Sequence, residues 1–198
     1  GQDSSTFKRT ANRHDYAVKP FDKTVLDHLK NHNFDVIAIG KINDIFDGEG
    51  ITKAIKTKNN HQGMEETIAI AETHDFHGLC FVNLVDFDAL YGHRRDAVGY
   101  ATCLEEFDQQ LDTLIHFINE DDLLIICADH GNDPLHTGTD HTREYVLLLA
   151  YSLNLKAQNL GIRETFSDIG ATILDNFNLP PMKNGTSFLK KITKGEIK

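Results

Sequence analysis

Aspartate and histidine stand in this sequence at the places where short apolar runs end. Asp86 and Asp88 follow the run 79–85, Asp129 and His130 follow 123–128, and Lys41 comes directly after 34–40. Two polar segments add His93, within Tyr91-Gly92-His93-Arg94-Arg95-Asp96, and His141, within Gly138-Thr139-Asp140-His141-Thr142-Arg143-Glu144. Carboxylates and imidazoles without cysteine form a nitrogen and oxygen donor set, which suits Mn, Zn or Fe rather than a thiolate-bound ion. Taken singly, each is an ordinary turn or loop residue. Taken together, titratable groups gathered at one crevice are costly without a cation to balance them, so the set points to a metal. The donors outnumber the needs of one four- or five-coordinate ion. Two ions about 3.5–4 Å apart, which would clamp a transferring phosphoryl group, are therefore plausible. Spacing leaves Asp86 and Asp88 equivalent, because residues two apart share one face of a strand.

The elements that must position these groups alternate between helix and strand. Phe21, Val25, Leu26 and Leu29 repeat at three- and four-residue intervals, as on a helix, and the β-branched run 34–40 closed by Gly40 reads as a buried strand. Turn chemistry around Asp47-Gly48-Glu49-Gly50 leads through a basic stretch to a helix at 62–73, with Met64, Ile68 and Ala71 on one side. A second strand is expected at 79–85. The longest helix is expected at 97–119, where Leu104, Phe107, Leu111, Leu114, Ile115 and Ile118 form an apolar stripe. Strands at 123–128 and 145–151 and a helix at 167–177 complete the pattern, and the segment before Pro20 is polar and irregular. This alternation predicts an α/β fold with a mostly parallel central sheet flanked by helices. In such sheets ligands sit at the carboxyl ends of the strands, where the polar groups named above are placed. Residues 129–144 hold no helical pattern and too little chain for a crossover, so the strand at 145–151 is expected to return antiparallel.

Composition narrows the function classes. The 198 residues carry 20 Lys and Arg against 30 Asp and Glu, a net charge of -10, which argues against nucleic acid and anionic membrane as partners. No apolar stretch approaches a membrane span. Cys80, Cys103 and Cys127 lack CxxC spacing and read as reduced core thiols of a cytoplasmic protein. Neither a GxGxxG or Walker loop nor a GxSxG elbow is present. His28, His32, His61, His74, His77 and His116 fall on helices or turns and are expected to face solvent.

Three long strings carry a resemblance: Val85-Asp86-Phe87-Asp88-Ala89-Leu90-Tyr91-Gly92-His93-Arg94-Arg95-Asp96, Ala128-Asp129-His130-Gly131-Asn132-Asp133-Pro134, and residues 138–144 quoted above. Together with Phe7-Lys8-Arg9-Thr10-Ala11-Asn12-Arg13-His14-Asp15-Tyr16, Ile39-Gly40-Lys41-Ile42 and Phe166-Ser167-Asp168-Ile169-Gly170-Ala171-Thr172, they resemble the phosphopentomutase family of the alkaline phosphatase superfamily of metalloenzymes.

The resemblance implies an alkaline-phosphatase-like core, here partial. Residues 1–20 would be the end of a cap domain and its junction, and residues 21–198 the C-terminal half of the metal-binding core. It implies two Mn2+ ions, one on Asp88, His93 and His141 and the other on Asp129 and His130, and it selects Asp88 over Asp86. Arg9 and Lys41 match positions that hold the substrate's phosphate, and Arg13 and His14 are further candidates. The activity implied is interconversion of ribose or deoxyribose 1-phosphate and 5-phosphate through a phosphothreonine and a bisphosphate. The family's threonine nucleophile and N-terminal metal-binding aspartate have no counterpart in these residues. The missing N-terminal half of the same protein is thus an expected partner, and no catalytic nucleophile is assigned in this chain. Another activity of the superfamily, as phosphatase or phosphoglycerate mutase, or a metal-binding module without turnover, are the alternatives.

Overall fold

The computed structural model describes residues 2, 3, 6 and 17–193. Its first helix, α1 (Val25–Asn31), begins where the Asp27 carboxylate accepts hydrogen bonds from the backbone N–H and the hydroxyl of Thr24, at 2.9 and 3.0 Å. Leu26 and Leu29 face inward from α1, while Phe21, which shares their spacing, lies before the helix and is exposed. Strand β1 (Asp35–Ile39) is buried from Val36 to Ile39, as a continuous apolar run must be when covered on both faces. After the short helix α2 (Ile42–Ile45), strand β2 (Lys53–Ile55) pairs in parallel with one edge of β1. The sequence reads this stretch as turns; two of its three residues are exposed, so no alternation marks it as a strand. Helix α3 (Asn60–Thr73) leads to β3 (Gly78–Val82), which pairs in parallel with the other edge of β1, Ile39 opposite Val82. The order β2-β1-β3 places the central strand under α1 and α3.

The second half of the chain builds the other layer. Helix α4 (Ala97–Ile115) packs on α3 and stops short of the expected residue 119, where the chain turns, and Leu104 of its apolar stripe is exposed. Strands β4 (Leu124–Cys127) and β5 (Leu148–Tyr151) form a separate two-stranded sheet, antiparallel as the short loop demands, with Leu124 opposite Tyr151. Its expected extent shrinks from 145–151 to 148–151. Helix α5 (Ser167–Asn176) joins the two layers: Ile173 packs into the core around Leu26, Val36 and Ile42, and Ile169 into the core of Phe188, Leu189 and Ile192. The last helix, α6 (Leu189–Ile192), closes that second core against Ile125, Leu148 and Ala150. The whole is an α/β arrangement with a parallel sheet flanked by helices, consistent with an alkaline-phosphatase-like core. Among the described residues no helix is long and apolar enough to cross a membrane.

The three thiols differ in environment. Cys103 is buried on α4, and burial pushes the Cys80 thiol up to about 12. Cys127, expected in the core, is an exposed residue where β4 runs out into the polar loop, although partial burial of its thiol raises that group's pKa too. His28 is half-buried, while His32, His61, His74, His77 and His116 are exposed as expected. At pH 8 only about one Cys80 thiol in ten thousand is ionised, since each unit below the pKa removes a factor of ten. Alkylation of the folded chain, read by peptide mass mapping, is expected to label Cys127 first and to spare Cys80 until the chain unfolds. Early modification of Cys80 would contradict its covered place in β3.

Candidate metal centre

Beyond β3 the chain leaves the sheet at Asn83 and winds into a π-helical turn, Phe87–Gly92. That change of geometry separates Asp86 from Asp88. Asp86 faces the start of α3: its carboxylate accepts from the Asn60 backbone N–H at 2.7 Å, and its own N–H donates to Asn60 Oδ1 at 2.9 Å. A reciprocal pair of this kind fastens the end of β3 to the first turn of α3, so Asp86 is a structural clamp. Asp88, one step into the wider turn, points instead toward the histidines.

Around Asp88 the distances are short and specific. His93 Nε2 lies 3.3 Å from Oδ2 and His141 Nε2 lies 3.2 Å from Oδ1, while the Asn132 side-chain amide donates to Oδ1 at 2.7 Å. His93 Nδ1 meets the Thr139 carbonyl at 2.5 Å, which makes Nδ1 the protonated nitrogen. In the neutral ring, Nε2 then aims a lone pair at the carboxylate. Two donors aimed at one point fit a shared cation: ligand atoms on an ion at 2.0–2.2 Å sit about 3.0–3.5 Å from each other. The His141 ring stacks on His130, centroids 3.7 Å apart, and lies 4.8 Å from His93. Asp88, His130 and His141 each offer a ligand atom, all within 4.8 Å of one another.

His130 and His141 meet because they flank the base of one loop. Gly131 and Thr142 form an antiparallel bridge, with Thr142 N–H donating to Gly131 O at 3.0 Å, and the Thr142 hydroxyl accepts from Asp133 N–H at 2.7 Å. Asp129 stands on the outer side, its side chain 78% exposed and 3.7 Å from His130 Nε2. The resemblance puts His130 with Asp129 and His93 with Asp88 and His141. In the structure His130 joins Asp88 and His141 through its stacking on the latter, and His93 adjoins them from the end of the π-helical turn.

Lys41 is exposed at the end of β1, after Gly40, whose φ of 76° is left-handed. A Cβ on Gly40 would come within 2.5 Å of Asn83 O, so glycine lets the ends of β1 and β3 lie side by side. Arg9, Arg13 and His14 lie outside the described residues. Asn132 is a site residue that sequence reasoning missed. Its place directly after His130-Gly131 was the available signal, and Gly92 is its packing partner: a Cβ there would come within 2.5 Å of Asn132 Nδ2.

The two carboxylates should separate by experiment. Asp86→Asn is expected to keep Mn2+ or Zn2+ uptake within a few-fold of the unaltered chain, and Asp88→Asn to weaken it about tenfold or more, read by calorimetric titration. The reverse ranking would return Asp86 to the centre.

This donor set agrees with what most of the sequence matches. Residues 4–181, most of the chain, match the Metalloenzyme superfamily, an alkaline phosphatase-like group that includes phosphopentomutase and phosphoglycerate mutase. Such metalloenzymes carry out metal-dependent phosphotransferase and mutase chemistry. A match of that extent, over a chain that gathers carboxylate and imidazole at its strand ends, shows that this protein belongs to the Metalloenzyme superfamily.

Proposed function

We propose that this chain is the metal-holding part of a phosphopentomutase, an isomerase that interconverts ribose or deoxyribose 1-phosphate and 5-phosphate in the cytoplasm. The observation that carries the reading is the convergence of Asp88, His93, His130 and His141 from two loops, with Asp129 at their outer edge. Asp88, His93 and His141 would hold one Mn2+, and Asp129 and His130 would contribute to a second. When bound, these ions supply charge neutralisation for phosphoryl oxygens and a lowered pKa for an attacking hydroxyl.

The chain's own residues set the stage for that chemistry. The hydrogen bond from His93 Nδ1 to Thr139 O fixes which ring nitrogen faces Asp88. Asp129 at the outer edge is exposed to solvent, and a phosphate ester would approach that side once bound metal offsets its charge. Lys41, an exposed cation at a strand end, would meet the substrate's phosphate, with Arg9 as its proposed companion. In the proposed cycle a phosphothreonine gives its phosphoryl group to the free hydroxyl of the pentose phosphate, forming a bisphosphate. The sugar's other phosphate then returns to the threonine, so nothing is consumed. We place that threonine, and one more metal-binding aspartate, outside these 198 residues.

The test is turnover of deoxyribose 1-phosphate against 3-phosphoglycerate and an aryl phosphate. The 198-residue chain alone is expected to bind Mn2+ and turn over none of them, because removing a nucleophile removes most of a concerted site's acceleration. Joined to the half that carries the threonine, it is expected to isomerise the pentose phosphate. Preference for phosphoglycerate or the aryl ester would replace the pentose assignment. In the joined protein Lys41→Ala is expected to raise KM for the pentose phosphate about tenfold, one lost charged contact, with metal content unchanged.

A further inference from the structure

Arg95 stands two residues beyond His93 with a left-handed backbone, φ 55°, a conformation that persists in a non-glycine residue only where the surroundings enforce it. Its Nε donates to the Gly138 carbonyl and its Nη2 to the Asp140 carbonyl, each at 2.5 Å, and the two N–H groups of Nη1 are shared among the Asp133 carbonyl and Asn132 Oδ1, each at 2.7 Å, and the Gly92 carbonyl at 3.1 Å. Every acceptor but Gly92 belongs to the loop that ends at His141. Arginine offers only donors, so it draws the oxygen end of the buried Asn132 amide toward itself. The NH2 end is thereby left to donate to Asp88 Oδ1 at 2.7 Å.

We propose that Arg95 and Asn132 form a positioning relay: Arg95 sets the amide's orientation and the course of the 132–140 loop, and Asn132 in turn fixes the carboxylate of Asp88. This rests on the reading of the centre as a metal site. Neither residue is a ligand; each acts through Asp88 and His141. Lysine would keep the charge but not the relay, because a single ammonium cannot span five acceptors that a planar fork reaches.

Calorimetric titration with Mn2+ is expected to show about ten- to hundredfold weaker binding for Arg95→Met and for Asn132→Leu, the range for loss of an outer-shell partner. The double variant is expected to be no weaker than the worse single, because both substitutions break one relay. Arg95→Lys is expected to fall with Arg95→Met. Arg163→Met removes an arginine from Asp168 and the Thr186 carbonyl in the second core, and its Mn2+ affinity is expected to stay within about twofold, as for independent sites. Losses that add in the double variant, or unchanged affinity in either single, overturn the relay; should Asn132→Leu not fold, Asn132→Ser takes its place. Amide hydrogen exchange in the metal-free chain gives a second readout, expected to rise over residues 131–142 in both singles and not in Arg163→Met. If the unaltered chain takes up no Mn2+, the metal reading fails, and exchange alone decides: a rise in both singles supports the relay, and no rise in either one overturns it.

Discussion

The carboxylate of Asp88 is where separate parts of this chain are fastened together. The π-helical turn carries it, His93 closes on it from the end of that turn, and His141 and Asn132 reach it from a loop more than forty residues away. These contacts are too weak to create the arrangement themselves. With Nδ1 protonated, His93 Nε2 and the Asp88 carboxylate present lone pairs to each other, so this contact draws nothing together unless a cation lies between them. The geometry must be imposed by the frame.

Three features impose it. Parallel pairing of β1 with β3 puts their carboxyl ends on one side, and Asp86 with Asn60 ties the exit of β3 to the start of α3. The Gly131–Thr142 bridge closes the loop so that two histidines eleven residues apart become stacking partners. Helix α5 lies in both cores at once, which keeps the two sheets, and the loops they carry, in one relation. The polar centre thus depends on apolar packing some distance away.

Much of this was legible in the sequence, and the exceptions share a cause. Strands β1, β3 and β4 announce themselves as unbroken apolar runs, and the antiparallel return of β5 followed from a preceding segment with no helical pattern and too little chain for a crossover. The donors at the strand ends followed from the same logic. Periodicity could not see the π-helical turn, so it treated Asp86 and Asp88 as sharing one face when the backbone there is no longer a strand. It also missed β2, whose exposed residues are shaped by pairing and not by burial. Asn132 and Arg95 are harder to read for a different reason: position beside His130-Gly131 and His93 marks them as neighbours of the donors, but their roles are set by which end of an amide faces a donor-only partner, and no spacing rule encodes that.

The net charge of -10 bears on how such a centre could receive a phosphate ester. At physiological ionic strength charges beyond about 8 Å are largely screened, so the chain's overall acidity matters less than the cations within one Debye length. Within that range the exposed Asp129, 3.7 Å from His130, adds repulsion. Arg95 turns its donors toward loop carbonyls and so does not aim them at a substrate, although its positive charge still acts on its surroundings. On the proposed reading, direct contacts to a dianionic substrate come from bound metal and from strand-end or junction cations such as Lys41, while Arg95 gives its hydrogen bonds to structure. That division explains why two neighbouring arginines differ in kind: Arg94 is exposed, whereas the guanidinium of Arg95 is held by the loop carbonyls of Asp133, Gly138 and Asp140.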